Sequence, residues 1–215
     1  MRVLDLCAGY KSVSQSINKI LGDTVSTITV DIDPRLNPDI CADVRLWDYK
    51  SSFPVGHFDI IWASPPCTHY SRAKTVGKRD FRLYDAIAKR CFEIIEYFQP
   101  KQWFVENPGG GGLMDKRPFM RRYEPFKNPC CYCRYGKPYK KPTNIWSNKP
   151  NLNLKVCNSQ TPCTTFKRYG YHLSTVQSGP SKHNEVYYKT TPKLSDRYSV
   201  PKQLIQHLLE KKCSS

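Results

Sequence analysis

The chain has 215 residues, which suits one domain of ordinary size with its own hydrophobic core. Its 34 Lys and Arg outnumber its 18 Asp and Glu, and the net charge of +16 indicates a polyanionic partner, nucleic acid first of all. No apolar stretch approaches the roughly 20 residues that a helix needs to cross a bilayer, which argues against a membrane protein. Residues 1–6 are typical of a core strand rather than a signal peptide, which argues against a secreted protein.

Apolar runs and helical periodicities alternate along the first half of the chain. Residues 3–6 predict a strand, Cys7-Ala8-Gly9 a turn, and residues 13–21 a helix that ends at Gly22. Further elements are predicted as strands at residues 25–30, 39–42, 58–63 and 102–105 and as a helix at 84–98. Strands that alternate with helices predict an α/β fold with a doubly wound, mostly parallel sheet covered on both faces.

The second half of the chain differs in composition. After about residue 124, Cys, Pro, Tyr and Lys dominate, and residues 137–202 hold twelve basic and two acidic side chains. Short strands are predicted only at 144–146 and 186–188, before a last helix at 201–211 whose apolar face should pack on the sheet. The predicted segments are an α/β domain at 1–128, a small irregular basic insert at 129–197 and a returning C-terminal helix at 198–215.

The tetrapeptide Ser64-Pro65-Pro66-Cys67 directly follows the predicted strand 58–63. Two consecutive prolines can neither continue a strand ladder nor lie inside a helix, so the chain must turn there. The turn presents Cys67 on a rigid loop at the carboxyl end of a strand, where open α/β sheets form their ligand sites. A thiol held in this way is a candidate nucleophile; a cysteine that only packs in the core is the alternative.

Candidate ligand-binding residues also follow the first three predicted strands. Gly9 lets a ligand approach the backbone beside a helix N-terminus. Asp31 ends the second strand, where an acidic side chain accepts hydrogen bonds from a ribose diol, and Asp43 follows the third strand. Each residue alone is equally typical of a solvent-exposed turn, but the ordered series favours a nucleotide-binding sheet.

The order of these motifs resembles that of the cytosine-5 DNA methyltransferase family over most of the chain. Asp5-Leu6-Cys7-Ala8-Gly9 is similar to the family's S-adenosylmethionine loop, Pro65-Pro66-Cys67 to its nucleophile loop, and Glu106-Asn107 to its Glu-Asn-Val motif. Residues 135–141 resemble its Tyr-Gly-x-Pro-Gln-x-Arg segment, and Ser199-Val200-Pro201 its closing motif. The short length and the cysteine-rich insert look most like small phage and large-DNA-virus members.

The resemblance implies the S-adenosylmethionine-dependent methyltransferase fold and methylation of cytosine carbon 5 in DNA through a covalent Cys67 adduct. In that chemistry the Cys67 thiolate adds to carbon 6 of the base, while Glu106 supplies a proton or hydrogen bond at ring nitrogen 3. The implied cofactor-binding residues are Asp5, Cys7, Gly9, Asp31, Ile32, Asp43, Val44 and Pro65. The implied substrate-binding residues are Pro66, Asn107, Lys141 and Thr143.

Three other functions fit parts of the pattern. Amino-methylating enzymes place an aromatic residue after Ser-Pro-Pro, whereas Cys67 stands there in this chain and favours carbon methylation. An RNA cytosine-5 methyltransferase would use the same catalytic residues. A nucleic-acid-binding protein that has lost catalysis is the alternative from another class.

The chain departs from the family pattern at three places. Tyr10-Lys11-Ser12 follow Gly9 instead of further glycines. These larger side chains could crowd the methionine end of the cofactor, or Lys11 could pair with the cofactor's carboxylate. Tyr139, Lys141 and Thr143 stand where the family has a Gln and two Arg, and Lys does not reproduce the planar Arg fork. Arg197-Tyr198 replace a Gly-Asn pair. Cys67 and Glu106 remain, so we expect an active enzyme.

The loop after Cys67 is basic, and only Asp80 opposes its positive charges, which come from Arg72, Lys74, Lys78 and Arg79. Such a loop suits closure over a phosphate backbone around an extruded nucleotide, with Arg72 and Lys74 as DNA contacts; a loop that is only solvated is the alternative. The 50 residues between Trp146 and Arg197 are few for a region that reads several base pairs, so short or relaxed specificity is expected.

Ten cysteines in a chain expected to be intracellular and soluble should be reduced. Cys133, Cys157 and Cys163 in the basic insert are candidate zinc ligands, and Cys131, His172 or His183 would complete a tetrahedral set. Their spacings are looser than those of common zinc motifs, so packing of reduced thiols is the alternative.

Overall fold

The computed structural model describes residues 1–71, 74–110, 112–149, 152–173 and 193–210. Its strands are β1 (Arg2–Leu6), β2 (Ser26–Asp31), β3 (Ile40–Cys41), β4 (Ile60–Ala63), β5 (Gln102–Pro108), β6 (Lys127–Cys131) and β7 (Pro142–Ser147). They form one sheet in the order β3-β2-β1-β4-β5-β7-β6. Strands β1 to β5 are parallel to one another, and β7 runs antiparallel to both of its neighbours. The predicted α/β fold with a mostly parallel sheet is confirmed.

The helices cover both faces of this sheet. They are α1 (Ser12–Leu21), α2 (Tyr49–Ser52), α3 (Phe81–Phe98), α4 (Thr164–Tyr169), α5 (Leu194–Tyr198) and α6 (Lys202–Glu210). Alternate side chains of β1 point to opposite faces, so Val3 packs with α1 and α6 in one core, and Leu4 and Leu6 pack with α3 in the other. Within the described part of the chain, no helix has both the length and the apolar character needed to cross a membrane.

Most predicted elements are confirmed, with bounds that differ by up to a few residues. Strand β5 continues through Pro108 because β7 pairs with its last residues and places Thr143 opposite Pro108. Helix α3 begins earlier than predicted because the Asp80 carboxylate accepts the Leu83 N–H at 2.9 Å and caps the first turn. The predicted strand 186–188 lies outside the described residues.

Strand β6 was not predicted. Its Pro129 argues against a strand in sequence terms, but β6 lies at the edge of the sheet, where a missing N–H is tolerated. Strand β6 begins at Lys127 and β7 follows it, so the first part of the basic insert completes the sheet. The division at residues 128 and 197 stays a prediction. The last helix does return, since its buried Leu204 and Leu208 pack in the same core as Val13 and Ile17 of α1.

Candidate active site

Three neighbouring strands bring the predicted catalytic side chains to one edge of the sheet. The loop that carries Cys67 follows β4, and Glu106 and Asn107 lie near the end of β5. Strand β7 is antiparallel to β5, so its beginning meets the carboxyl end of β5. The segment that leads into β7, including Lys141, is therefore placed beside Glu106 by topology alone.

The loop between β4 and Cys67 is held by three hydrogen bonds. The Ser64 N–H donates to the Leu6 carbonyl at 3.0 Å, and the Trp62 indole N–H donates to Ser64 Oγ at 2.8 Å. The fully buried Asn107 donates its amide N–H to the Pro65 carbonyl at 2.9 Å. Asn107, predicted to bind substrate, thus fastens the nucleophile loop to the neighbouring strand.

Cys67 is half-buried at the start of a helical turn in which its carbonyl accepts the N–H groups of Tyr70 and Ser71 at 2.9 and 2.7 Å. Burial is the main cause that raises the pKa of its thiol above the ordinary value. The Glu106 carboxylate raises this pKa further, and the Lys141 ammonium opposes both effects. The thiol is therefore protonated in the unliganded protein near neutral pH, and Lys141 is the group that favours its ionisation.

Glu106 is buried, with 7% of its surface exposed, and its side chain is held at one oxygen. The Tyr132 hydroxyl donates to Oε1 at 2.9 Å, and Lys141 Nζ lies 3.7 Å from the same atom. Among the described residues Oε2 has no hydrogen-bond partner, so this oxygen is available to a ligand. The arrangement orients one carboxylate oxygen toward the protein and leaves the other for chemistry.

Lys141 Nζ joins this cluster to the C-terminal part of the chain. It lies 4.7 Å from the centre of the Tyr132 ring and donates to the Arg197 carbonyl at 3.3 Å. Thr143 is buried and also contacts the Tyr132 hydroxyl. Lysine thus contributes a single positive charge at the position where the family pattern has an arginine.

Alternate residues before β7 dock on the end of α5. Lys137 Nζ and the Tyr139 hydroxyl donate to the Asp196 carbonyl at 3.3 and 2.6 Å, and Lys141 reaches the Arg197 carbonyl next to it. The last carbonyls of a helix need partners from outside it. The departure from the family's Gln at Tyr139 is therefore accommodated by a structural contact.

The turn after β1 and the end of β2 carry groups suited to a nucleoside, which marks a candidate cofactor pocket. Gly9 has a φ of +52°, and a Cβ built on it would meet nothing within 4 Å. Its N–H donates to Asp31 Oδ2 at 2.8 Å, and the next side chain, Ile32, is 64% exposed. Open backbone, a carboxylate and an exposed apolar side chain fit the diol and base of a nucleoside cofactor.

Other predicted cofactor residues have partners inside the protein. Both Asp43 oxygens accept Arg45 Nε at 3.0 Å, and this pairing lowers the pKa of Asp43. Val44 is buried. The neighbouring Cys91 thiol and burial raise the pKa of Cys7 well above its ordinary value, so Cys7 is a neutral packing group.

Two of the residues that follow Gly9 contact other parts of the chain. The Lys11 ammonium donates to the Asn37 carbonyl, so its charge lies beside the loop after β2. Ser12 Oγ accepts the Val200 N–H at 3.0 Å and so connects α1 to the closing motif. Tyr10 is 42% exposed.

Asp5 is buried behind this pocket, where its Oδ2 accepts the Ser14 N–H of α1 at 3.2 Å. Burial outweighs this hydrogen bond and raises the pKa of Asp5 from 3.8 to about 7. Below pH 4 the carboxyl is protonated in both folded and unfolded chains. Between pH 4 and 7 only the unfolded chain releases the proton, so stability falls as pH rises.

We expect this effect to reach roughly 4 kcal/mol by pH 7, at about 1.4 kcal/mol per pKa unit. Asp5→Asn keeps an oxygen that accepts the Ser14 N–H but removes the titration, so its urea-unfolding free energy should decline less between pH 5 and 7.5 than that of the wild type. Parallel declines in the two proteins would contradict this assignment.

Arg79 holds the loop after Cys67 from inside. Its guanidinium donates to the carbonyls of His69, Ser71 and Lys74 at 2.6, 3.0 and 2.8 Å. Arg79 therefore shapes the basic loop, while Lys74 stays a predicted DNA contact. Arg72 lies outside the described residues.

A half-buried ion pair supports the same loop from α3. The Tyr70 hydroxyl donates to Asp85 Oδ1 at 2.8 Å, and Arg117 pairs with both oxygens of Asp85 at 2.9 to 3.1 Å. The Arg117 guanidinium also lies 4.3 Å from the centre of the Phe81 ring. The position of Cys67 is thus fixed from both ends of its loop.

Comparisons with known proteins show which family the chain belongs to. The family model "C-5 cytosine-specific DNA methylase" matches residues 1–118, over half of the chain. The chain belongs to this family. Over 98% of its length it is 31% identical to the "Probable DNA (cytosine-5)-methyltransferase" of Frog virus 3 (isolate Goorha), of which it covers 99%. The predicted family and enzyme class are confirmed.

Two solved methyltransferases share the fold. One, described as a DNA modification methyltransferase encoded within an E. coli prophage, is 18% identical with a TM-score of 0.51, over 76% of this chain and 51% of the other. The Entamoeba histolytica methyltransferase EhMeth is 17% identical with a TM-score of 0.52, over 74% and 57%. The chain therefore spans little more than half of these proteins, and at such identities the likeness concerns the fold alone.

Tyr132 is the site residue of this family member that sequence reasoning did not assign. Nothing adjacent in sequence marks Tyr132 as the partner of Glu106. Only the pairing of β6 with β7 brings the turn Tyr132–Tyr135 back to β5. Knowledge of the strand order in the sheet, rather than a sequence motif, would have identified Tyr132.

The candidate metal ligands converge on a separate cluster. The ligand atoms of Cys133, Cys157, Cys163 and His172 lie within 4.8 Å of one another. Of the three residues considered for the fourth position, His172 belongs to this group, and Cys131 packs beside it. His183 lies outside the described residues.

Proposed function

We propose that this family member transfers a methyl group from S-adenosylmethionine to carbon 5 of cytosine in DNA through a covalent adduct of Cys67. The observation that carries the proposal is the convergence of the Cys67 loop with Glu106 at the ends of adjacent strands. One thiol and one buried carboxylate at such an edge are the two groups that activation of a cytosine ring requires.

The cofactor is proposed to lie at the ends of β1 and β2. Asp31 would accept hydrogen bonds from the ribose diol, Ile32 would cover the adenine, and the open backbone at Gly9 would admit the methionine end. When bound, S-adenosylmethionine supplies a methyl group on a sulfonium, which is electrophilic.

Cytosine carbon 5 is too weak a nucleophile to accept a methyl group directly. The Cys67 thiol first releases its proton to solvent. The thiolate then adds to carbon 6, a new S–C bond forms, and the ring electrons move toward nitrogen 3. Glu106 Oε2 is positioned to bind or protonate that nitrogen, while Tyr132 and Lys141 hold Oε1. Carbon 5 of the resulting enamine would attack the sulfonium methyl, whose bond to sulfur would break and release S-adenosylhomocysteine.

The last steps restore the aromatic ring. A base removes the proton from carbon 5, the S–C bond to carbon 6 breaks, and Cys67 leaves as a thiolate. Glu106 can take back the proton from ring nitrogen 3 in the same phase. When the Cys67 thiolate takes up a proton from solvent, both side chains are back in their initial states and the protein is regenerated.

DNA is the proposed substrate because of the charge and the viral relative. The net charge of +16 favours phosphate contacts, and the relative in Frog virus 3 is named as a DNA enzyme. A base must leave the double helix to reach a half-buried thiol, so an extruded cytosine is implied. We propose an intracellular site of action, where viral or host DNA is accessible.

The proposal is tested with methyl-labelled S-adenosylmethionine, duplex DNA of mixed sequence and tRNA in parallel reactions. After digestion to nucleosides, mass spectrometry should find the label in 5-methyldeoxycytidine, and only with DNA. Label in RNA alone would show that RNA is the substrate. Label in N4-methyldeoxycytidine would overturn the carbon-methylating mechanism. No label in either nucleic acid would favour a binding protein without catalysis.

A further inference from the structure

The cluster of Cys133, Cys157, Cys163 and His172 gathers side chains from separate parts of the chain. Cys133 lies in the turn Tyr132–Tyr135 after β6, and Cys163 precedes α4. Cys157 and His172 lie in the flanking loops, and the three cysteines are buried. We infer that these four side chains bind one Zn²⁺ as a structural site, and that this ion positions Tyr132 against Glu106.

The distances fit tetrahedral zinc. With Zn–S near 2.3 Å and Zn–N near 2.0 Å, ligand atoms around one tetrahedral ion are roughly 3.5 to 3.8 Å apart. His172 Nε2 lies 3.7 Å from Cys157 Sγ and 3.4 Å from Cys163 Sγ. Three sulfurs and one imidazole nitrogen are also a common donor set of structural zinc sites.

Backbone N–H groups point at two of the sulfurs. The Cys163 N–H donates to Cys157 Sγ, and the Phe166 N–H donates to Cys163 Sγ, both at 3.4 Å. Such donors stabilise negative charge on sulfur and fix the orientation of metal ligands.

Residues 152–173 of the insert have almost no core apart from this cluster. In residues 152–173 the buried side chains are Leu152, Cys157 and Cys163, so two of three belong to the candidate site. A segment that buries so little apolar surface does not offset its loss of chain entropy by packing. A metal ion that joins four ligands supplies the missing stabilisation.

The site also connects the insert to the active site. Cys133 directly follows Tyr132, whose hydroxyl donates to Glu106 Oε1 at 2.9 Å. Arg134 adds a second tie, since its guanidinium donates to the Pro162 carbonyl at 2.6 Å. An ion on Cys133 fixes the turn and with it the Tyr132 hydroxyl. This part of the inference rests on the proposed function; zinc binding itself does not.

The first test measures metal in the full-length protein purified without chelators. We expect about one zinc per chain by mass spectrometry, and Co²⁺ in its place should give the visible bands of tetrahedral thiolate coordination. Release of zinc from the wild type by a thiol-modifying reagent tests the cysteine ligands without any substitution. Zinc well below one per chain, zinc that thiol modification leaves bound, or iron in its place would overturn the site.

Matched variants then test the ligand set. Cys157→Ser and His172→Gln should lower zinc content several-fold. Cys131→Ser, buried beside the cluster, and Cys41→Ser, exposed on β3, should keep one zinc per chain. Loss of zinc in Cys131→Ser but not in His172→Gln would contradict the assigned set.

The positioning role is tested by a double-mutant cycle on methyl transfer. His172→Gln should lower kcat about tenfold in the wild-type background and have little effect in Tyr132→Phe, where the hydroxyl is already absent. Equal effects in both backgrounds would overturn the positioning role. A wild type that binds one zinc but transfers no methyl group would refute the proposed function and leave the zinc site standing.

Discussion

Cys67→Ala is expected to lower methyl transfer to DNA cytosine by about 10⁴-fold or more, because the variant has no nucleophile to add to carbon 6. Binding of DNA and S-adenosylmethionine should persist, since the loop is held by Asn107, Ser64 and Arg79 rather than by the thiol. The measurements are initial rates of label transfer and two binding titrations. Cys41→Ser, an exposed cysteine on β3, is the matched control and should retain full activity.

The same thiol predicts a pH dependence. Because burial raises the pKa of Cys67, the thiolate fraction, and hence kcat/KM, should increase about tenfold per pH unit above neutrality until the thiol is ionised. Lys141 lowers this pKa, so Lys141→Gln should shift the rise to higher pH. A profile that is flat between pH 7 and 9, or that does not move in Lys141→Gln, would contradict this account of the nucleophile.

Glu106→Gln is expected to lower kcat by about 10²- to 10⁴-fold, the range typical of a lost general acid. The amide is nearly the same size as the carboxylate and can still accept the Tyr132 hydrogen bond, so the fold and the affinity for S-adenosylmethionine should be unchanged. Single-turnover rates on DNA separate the chemical step from product release. Wild-type single-turnover rates in the Glu106→Gln variant would show that Glu106 takes no part in the chemical step.

Tyr132→Phe tests the same carboxylate with a smaller change than Glu106→Gln. It keeps the buried ring and removes only the hydroxyl, so Glu106 loses a hydrogen bond of about 1.5 to 3 kcal/mol. The expected loss in kcat is about 10- to 100-fold, smaller than that of Glu106→Gln. In a Glu106→Gln background the additional effect of Tyr132→Phe should be small, because the two residues act on one proton or hydrogen bond.

The sequence determined much of this account because the functional residues lie at strand ends. Apolar runs located β1, β2, β4 and β5, and parallel strands bring their carboxyl ends to one edge. The Pro65-Pro66 pair marked the loop that carries Cys67, and Glu106 followed a clear strand. These signals are local, so they could be obtained without contacts between distant residues.

The features that the sequence did not reveal depend on contacts between residues that are far apart in the chain. Strand β6 contains Pro129 and is placed only by its pairing with β7, and the hydrogen bond from Tyr132 to Glu106 follows from that pairing. The choice of His172 over Cys131 as the fourth candidate ligand likewise depends on how the loop after α4 folds back. Spacing along the chain does not contain this information.

Covalent trapping on duplex DNA that contains 5-fluorocytosine tests the central claim most directly. Once methylated, this base has no proton at carbon 5 to lose, so elimination is blocked and Cys67 stays attached. We predict a complex that resists denaturation, requires S-adenosylmethionine and is absent in Cys67→Ala, with the adduct on the peptide that contains Cys67. A complex that forms equally well in Cys67→Ala, or methyl transfer to unmodified DNA without any trapped complex on the fluorinated DNA, would contradict the covalent mechanism.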